Sequence, residues 1–239
     1  MDIKRQYFDL IEKRVDVVYE SQSEKLEKVA AMFGQCMTNG GVVQLFGVNH
    51  GEEFVNEMFY RAGGIAPLHG IKPKELMLKG IVKPEDMLSG NVYNDTKLPD
   101  RFAEAYQLDD RDMYVVVSFY GTEPLAIEIA KRAKEKGQKV VAVVNKKSYD
   151  SAKGTLLDYA DEYLDMCADD PDIALHVGDY AIGQISSTLA NIIAQMLTAE
   201  VYTYYVNKGL EAPVLLSANI KGADVHNNSL TDPYERRVR

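Results

Sequence analysis

Two short segments carry the residues best suited to hold an anion. Residues 47–51 and 118–123 each lead from an apolar run into a helical pattern. A turn from strand to helix points free backbone N–H groups at whatever lies above it, which suits a phosphate or carboxylate. The sequence therefore predicts an anion site built from both turns, with these candidates: Gly47, Asn49, Gly51, Ser118, Gly121 and Thr122.

A carboxylate and an imidazole accompany the first turn. His50 lies in the turn, and Glu57 follows on the next predicted helix. A general base and a proton donor beside one anion site are the groups needed to move protons on a sugar carbon. Glu57 is also four residues before Arg61, so an ordinary ion pair on a helix surface explains it equally well.

Three hydroxyl residues open the last long helical pattern: Ser186, Ser187 and Thr188. One of them is expected to serve as the helix N-cap. A cap needs a single hydroxyl, so the other two are candidates for hydrogen bonds to a ligand. Late in the chain Asp224 and His226 form a polar cluster that could fold back over a site or a neighbouring subunit.

The remaining histidines and the cysteines do not indicate a metal site. His69 and His176 are expected in loops facing solvent, and no histidine pair has the spacing of a metal motif. Cys36 and Cys167 are far apart and are predicted to be reduced thiols packed in the interior. The sequence predicts no metal and no cofactor, and it lacks both the P-loop and the dinucleotide-binding glycine patterns.

The composition is that of an ordinary globular chain. Of 239 residues, 46% are hydrophobic and 26% charged, and the net charge is −9. An acidic chain repels nucleic acid, so a small molecule is the expected partner. The first residues form a charged amphipathic pattern rather than a leader, and the most apolar long segment is too polar to face lipid, so a cytoplasmic location is expected.

The order of predicted elements indicates a parallel sheet with helices on both faces. Apolar runs predict strands at 42–47, 65–68, 113–118 and 139–144, and residues 162–165 could form a fifth, short strand. Helices are predicted over 52–61, 125–136 and 186–207. One domain over 1–239 is expected, with a leading helix (1–38), an irregular insertion (69–110) and a largely extended tail (210–239). In such sheets ligands bind beyond the carboxyl ends of the strands, where both turns lie.

The chain resembles the sugar isomerase (SIS) domain family of phosphosugar isomerases and binding proteins. It is most similar to a branch of single-domain bacterial proteins often named as candidate phosphoheptose isomerases. The resemblance runs nearly end to end and rests mainly on residues 40–47, His50, 57–67, 213–219 and 222–227.

The resemblance implies a five-stranded, three-layer αβα sandwich of flavodoxin-like order, usually dimeric or tetrameric, with sites often at subunit interfaces. It also implies that Glu57 is the catalytic base. The loop containing Ser118, Gly121 and Thr122 would hold phosphate, and the start of the last helix (186–188) would touch the ligand.

Two departures from the family pattern stand out. Tyr120 occupies the place of a phosphate-binding serine, and Gly51 replaces a serine after His50. Phe119 and Tyr120 could instead stack on a sugar.

Three functions fit these residues. The favoured one is an aldose–ketose isomerase of a sugar phosphate that uses a carboxylate base. The alternatives are a non-catalytic sugar-phosphate sensor and a lyase or etherase acting on a phosphorylated amino sugar. All three require the same anion site and one carboxylate.

Overall fold

A computed structural model describes residues 2–238, without the side chain of Arg236. Met1 and Arg239, the ends of the predicted leading helix and tail, lie outside the described residues. The strands are β1 (Val43–Gly47), β2 (Leu68–Ile71), β3 (Met113–Val117), β4 (Val140–Val144), β5 (Glu162–Asp165), β6 (Leu175–Val177) and β7 (Tyr180–Ile182). The α-helices are α1 (Ile3–Thr38), α2 (Gly51–Met58), α3 (Pro73–Leu78), α4 (Pro84–Ser89), α5 (Leu98–Tyr106), α6 (Pro124–Glu135), α7 (Lys146–Ala152), α8 (Ser186–Asn207), α9 (Ala223–Thr231) and α10 (Glu235–Val238).

Five parallel strands form the central sheet in the order β2-β1-β3-β4-β5. This confirms the predicted parallel sheet and its flavodoxin-like order. Side chains alternate between its faces: Leu45, Val115 and Val143 pack in the core that contains residues of α1, α2 and α8. Phe46, Val116 and Val144 pack in the core that contains residues of α5 and α6. The three layers follow from strands that are apolar on both faces.

The second strand lies three residues later than predicted. Pro67 precedes β2, and residues 63–66 pair instead with the tail: Ala66 N donates to Pro213 O at 2.9 Å and Leu215 N to Gly64 O at 2.9 Å. Ile65 and Val214 form the antiparallel bridge between these segments. The tail therefore pairs with the first half of the predicted strand at 65–68, and only Leu68 of that strand belongs to the central sheet.

Other boundaries also differ from the prediction. The helix predicted over 52–61 ends at Met58, because Phe59 is extended and Tyr60 has a positive φ of 48°. The predicted insertion from residue 69 begins as strand β2, and its remainder is short helical pieces as expected. The tail is not largely extended, since it contains α9 and α10. A two-stranded antiparallel hairpin, β6–β7, lies between β5 and α8, where no strand was predicted.

His69 is not in a solvent-facing loop, as the sequence suggested, but is fully buried in β2. Its Nδ1 lies 2.6 Å from Gln44 Oε1, and Gln44 Nε2 donates to Asp112 Oδ2 at 3.0 Å. Arg237, near the end of the tail, pairs with Asp112 and donates to Gly40 O at 2.9 Å. A buried polar chain thus runs from the edge strand to the tail. His176 is exposed, as predicted, although it lies in β6.

We expect the stability of this protein to fall between pH 7 and pH 5 because of His69. Burial, with smaller contributions from Lys79 and Lys72, lowers the pKa of His69 to about 3. In the unfolded chain His69 binds a proton near pH 6.5, whereas in the folded chain it stays neutral down to about pH 3. The contribution of His69 to the free energy of unfolding is therefore fully present above pH 6.5 and is lost as the pH falls toward 3. The loss approaches about 1.4 kcal/mol per pH unit, or about 2 kcal/mol by pH 5.

Urea unfolding at several pH values should show this slope, and His69→Gln should flatten it. His176→Gln should leave it unchanged; an equally steep slope in His69→Gln would disprove the assignment.

Candidate functional site

A pocket of about 170 Å³ opens at the carboxyl ends of the strands. The turn after β1, the turn after β3 and the first turn of α8 all reach it, together with the loop that connects β5 to α8. This is where a doubly wound sheet places its ligands. Its lining consists of Val48, Asn49, His50, Gly51, Phe119, Tyr120, Glu123, Met166, Asp172, Gln184, Ser186, Ser187 and Ala190.

Seven of the residues named from the sequence line this pocket: Asn49, His50, Gly51, Phe119, Tyr120, Ser186 and Ser187. His50 is largely exposed, with Nδ1 3.8 Å from Glu53 Oε1. The first turn of α2 is supported from the insertion, because the partly buried Tyr93 donates from its hydroxyl to Glu52 Oε1 at 3.0 Å. Burial and the neighbouring Glu52 carboxylate raise the pKa of Tyr93 to about 12, so the phenol keeps its proton.

Gly47, Ser118 and Gly121 support the turns from behind and do not line the pocket. A Cβ on Gly47 would lie 2.2 Å from the carbonyl oxygen of Gly51, so only glycine lets the first turn of α2 approach β1 this closely. Gly121 N donates to Ser118 Oγ at 2.7 Å and is not free for a ligand. A Cβ on Gly121 would meet the Tyr149 ring at 2.6 Å, and its φ is +66°. Thr122 and Thr188 are exposed beside the pocket rather than in its lining.

Glu57 lies away from this pocket within one chain. It is six residues after Gly51 on α2, roughly 9 Å along the helix axis. Its carboxylate pairs with Arg61 and accepts from Gln195 Nε2 at 2.5 Å, on the side of α2 that faces α8. Its side chain remains 31% exposed, so the carboxylate is accessible to solvent. The predicted Glu57–Arg61 pair is present; the catalytic role of Glu57 stays a prediction.

The tail does not bring its polar cluster to the pocket of the same chain. Asp224 is exposed on α9, and His226 Nε2 lies 2.9 Å from Val214 O, where it helps hold the tail on itself. Arg237 fixes the end of the tail next to the amino ends of β1 and β3. The pocket lies at the carboxyl ends of these strands, on the opposite edge of the sheet. A contribution from Asp224 or His226 to a neighbouring subunit's site stays a prediction.

The start of α8 is capped differently from the prediction. Ile185 occupies the N-cap position and no hydroxyl side chain caps the helix. Asp172 does so from the preceding loop, accepting from Ile185 N at 3.0 Å and from Ser186 N at 3.2 Å. The hydroxyl groups of Ser186 and Ser187 therefore do not cap the helix. Asp172 could not be predicted from the sequence, because a cap fourteen residues before the first residue of its helix leaves no local pattern.

The turn after β3 has its own carboxylate. Ser118 Oγ donates to Glu123, and the serine is fully buried. Phe119 and Tyr120 form an edge-to-face pair with ring centroids 4.8 Å apart, and Tyr120 is 46% exposed. The aromatic pair thus offers apolar faces at the pocket wall, while Glu123 and Asp172 offer hydrogen-bond acceptors.

A second cavity, of about 250 Å³, lies between β2 and the tail. Its lining is mainly apolar, and Glu75 carries the one carboxylate among the described lining residues, so these residues offer few groups that could do chemistry. The lining residues are Phe59, Tyr60, Ile65, Ala66, Pro67, Leu68, Glu75, Leu215, Thr231, Tyr234 and Val238.

Within residues 2–238 no cluster of three or more histidine, cysteine or acidic residues could hold a metal ion. No described helix is long and apolar enough to cross a membrane. Cys36 is buried, and burial raises the pKa of its thiol to about 11, so it behaves as a packed thiol.

Comparison with known proteins agrees with this fold. The model of the SIS domain family matches residues 6–145. A UPF0309 protein from Geobacillus kaustophilus is 32% identical over 242 residues, which cover 98% of this chain and 94% of that protein. The chain therefore belongs to the SIS domain family, which confirms the resemblance seen in the sequence.

Two solved structures show the same fold. A phosphoheptose isomerase from Francisella tularensis matches with a TM-score of 0.57 at 15% identity, over 84% of this chain and 97% of that one. A candidate phosphosugar isomerase from Silicibacter pomeroyi matches with a TM-score of 0.52 at 16% identity, over 97% of this chain. This chain spans about half of the latter, 55% of its length.

Proposed function

We propose that this chain binds a sugar derivative in the pocket at the carboxyl ends of its strands. One observation carries the proposal: this pocket combines an aromatic pair with convergent hydroxyl, amide, imidazole and carboxylate groups. Sugar rings present apolar C–H faces and a rim of hydroxyl groups, so they need both kinds of surface. The pocket also lies where this class of sheet binds ligands.

The reaction that would follow is proton transfer between adjacent sugar carbons, as in an aldose–ketose isomerase. Such a reaction needs a base within hydrogen-bond reach of the carbon and a proton donor for the oxygen. Glu57 is the proposed base and His50 the proposed donor. Arg61 and Gln195 both hydrogen-bond the Glu57 carboxylate and hold it in one position, which supports this assignment. A ligand must then extend from the pocket toward α2 and α8, or approach Glu57 from a neighbouring subunit of the proposed homo-oligomer.

A binding protein without catalysis is the second candidate. The distance of Glu57 from the pocket along α2 favours it. In this case the pocket would recognise the sugar through Tyr120, Ser187 and Gln184, and no proton would be exchanged.

We expect at least one sugar in a panel of aldoses, ketoses, amino sugars and their 6-phosphates to raise the melting temperature of the wild-type protein, since binding to the folded state stabilises it. Tyr120→Ala should weaken binding of that sugar about tenfold, because the stacking face is lost. Calorimetry measures the affinity, and deuterium exchange from solvent into the bound sugar tests for catalysis. If Glu57 is the base, Glu57→Gln binds the sugar but stops the exchange.

Tyr19→Ala is the matched control, since Tyr19 is an exposed tyrosine on α1, outside the pocket lining. It should bind as the wild type does. Failure of every sugar to bind the wild-type protein would refute the proposed function. Binding without exchange would favour the non-catalytic candidate.

A further inference from the structure

The protein's own carboxylates occupy the hydrogen-bond donors that an anionic ligand would use. In the turn after β3, Ser118 Oγ donates to Glu123 and accepts from Gly121 N at 2.7 Å. The hydroxyl and this amide are thus already satisfied within the turn. A phosphate oxygen placed there would have to displace the Glu123 carboxylate.

The start of α8 is occupied in the same way. The Asp172 carboxylate accepts from the N–H groups of Ile185 at 3.0 Å and Ser186 at 3.2 Å. These are donors at the positive end of a 22-residue helix, where an anion is otherwise favoured. Two independent segments therefore supply an internal anion, one at each wall of the pocket.

The charge of the pocket wall follows from these two residues. Glu123 and Asp172 both line the pocket, and neither lysine nor arginine is among its described lining residues. Besides these carboxylates, the described lining holds one imidazole, His50, whose side chain is 75% exposed, and one phenol, Tyr120. A phosphate dianion would meet like charges in a partly dry site without a compensating cation, which is unfavourable.

We propose that the sugar this pocket takes carries an amino group and no phosphate. Each carboxylate has about four acceptor positions. Glu123 uses one of them, and Asp172 uses two, in the hydrogen bonds described above. The remaining positions suit an ammonium group and sugar hydroxyls, and charge-assisted hydrogen bonds to carboxylates are the stronger kind. The face of Tyr120 adds attraction for a cation. This inference rests on the proposed function and deepens it by naming the substrate class.

A set of four ligands tests the proposal: a hexosamine, the parent hexose, and the 6-phosphate of each. The set is measured separately in the gluco, galacto and manno configurations. Calorimetry on the wild-type protein should rank the unphosphorylated hexosamine first. Each 6-phosphate should bind at least about tenfold more weakly than its parent, given two nearby carboxylates. Glu123→Gln keeps an acceptor for Ser118 but removes the charge. It should reduce the preference for the amino sugar over the hexose and raise the affinity for the 6-phosphates.

Glu135→Gln removes the same charge from the far end of α6, where the side chain is 64% exposed, and should change neither preference. Asp172→Asn provides a second test at the other wall, since asparagine can still cap α8. Tighter binding of a 6-phosphate than of its parent sugar to the wild-type protein would overturn this inference and leave the proposed function standing. Failure of all these sugars to bind, together with the wider panel, would refute both.

Discussion

Replacing Asp112 by alanine is expected to lower the free energy of unfolding by about 3–5 kcal/mol, the usual cost of breaking a buried ion pair. Asp112 is 1% exposed and pairs with Arg237, which is itself mostly buried. It also accepts from Val42 N at 2.8 Å and Gln44 Nε2 at 3.0 Å. All of these donors would lose their partner in the interior, so the cost includes their desolvation as well as the lost attraction.

Urea unfolding followed by circular dichroism measures this change as a shift of the midpoint at constant slope. Asp110→Ala is the matched control, because Asp110 is an exposed aspartate two residues earlier. It should change stability by no more than about 0.5 kcal/mol. Equal stability of the two variants would show that the buried polar chain does not hold the tail on the sheet.

Substituting Gly47 by alanine should destabilise the protein by about 1–3 kcal/mol and weaken ligand binding as well. The new Cβ would lie 2.2 Å from Gly51 O and 2.6 Å from Glu52 N, both backbone atoms of the first turn of α2. Because the clashing atoms belong to the backbone and not to a flexible side chain, the turn itself must move. His50 and Asn49 move with it, and both line the pocket.

The measurement pairs urea unfolding with sugar affinity. Gly80→Ala is a suitable comparison, because Gly80 has a φ of +72° and a Cβ added there would have nothing within 4 Å. That substitution should cost about 1 kcal/mol of backbone strain but leave sugar affinity unchanged. Unchanged affinity in Gly47→Ala would mean that the turn before α2 does not contribute to the site.

Much of the fold was determined by local sequence patterns. The apolar runs of β3 and β4 lie within one residue of their predicted bounds, and α8 matches its prediction at both ends. Such elements are predictable because strands buried on both faces are continuously apolar, and a strong apolar pattern also marks a long buried helix. The turns that follow β1 and β3 were found for the same reason, and with them Asn49, His50 and the aromatic pair.

Hydrogen bonds between residues far apart in the sequence determined the features that the local patterns did not predict. The tail pairs with residues 63–66, so β2 begins three residues later in the chain than predicted. No local pattern around Pro67 could show this. His69 became a core residue because Gln44 on a neighbouring strand supplies its partner. Asp172 caps α8 from thirteen residues away, and Glu123 folds back onto Ser118, so the charge of the pocket wall emerged only in three dimensions. A sequence shows which residues carry charge, but only the tertiary structure shows which charges face the same cavity and which donors they already satisfy.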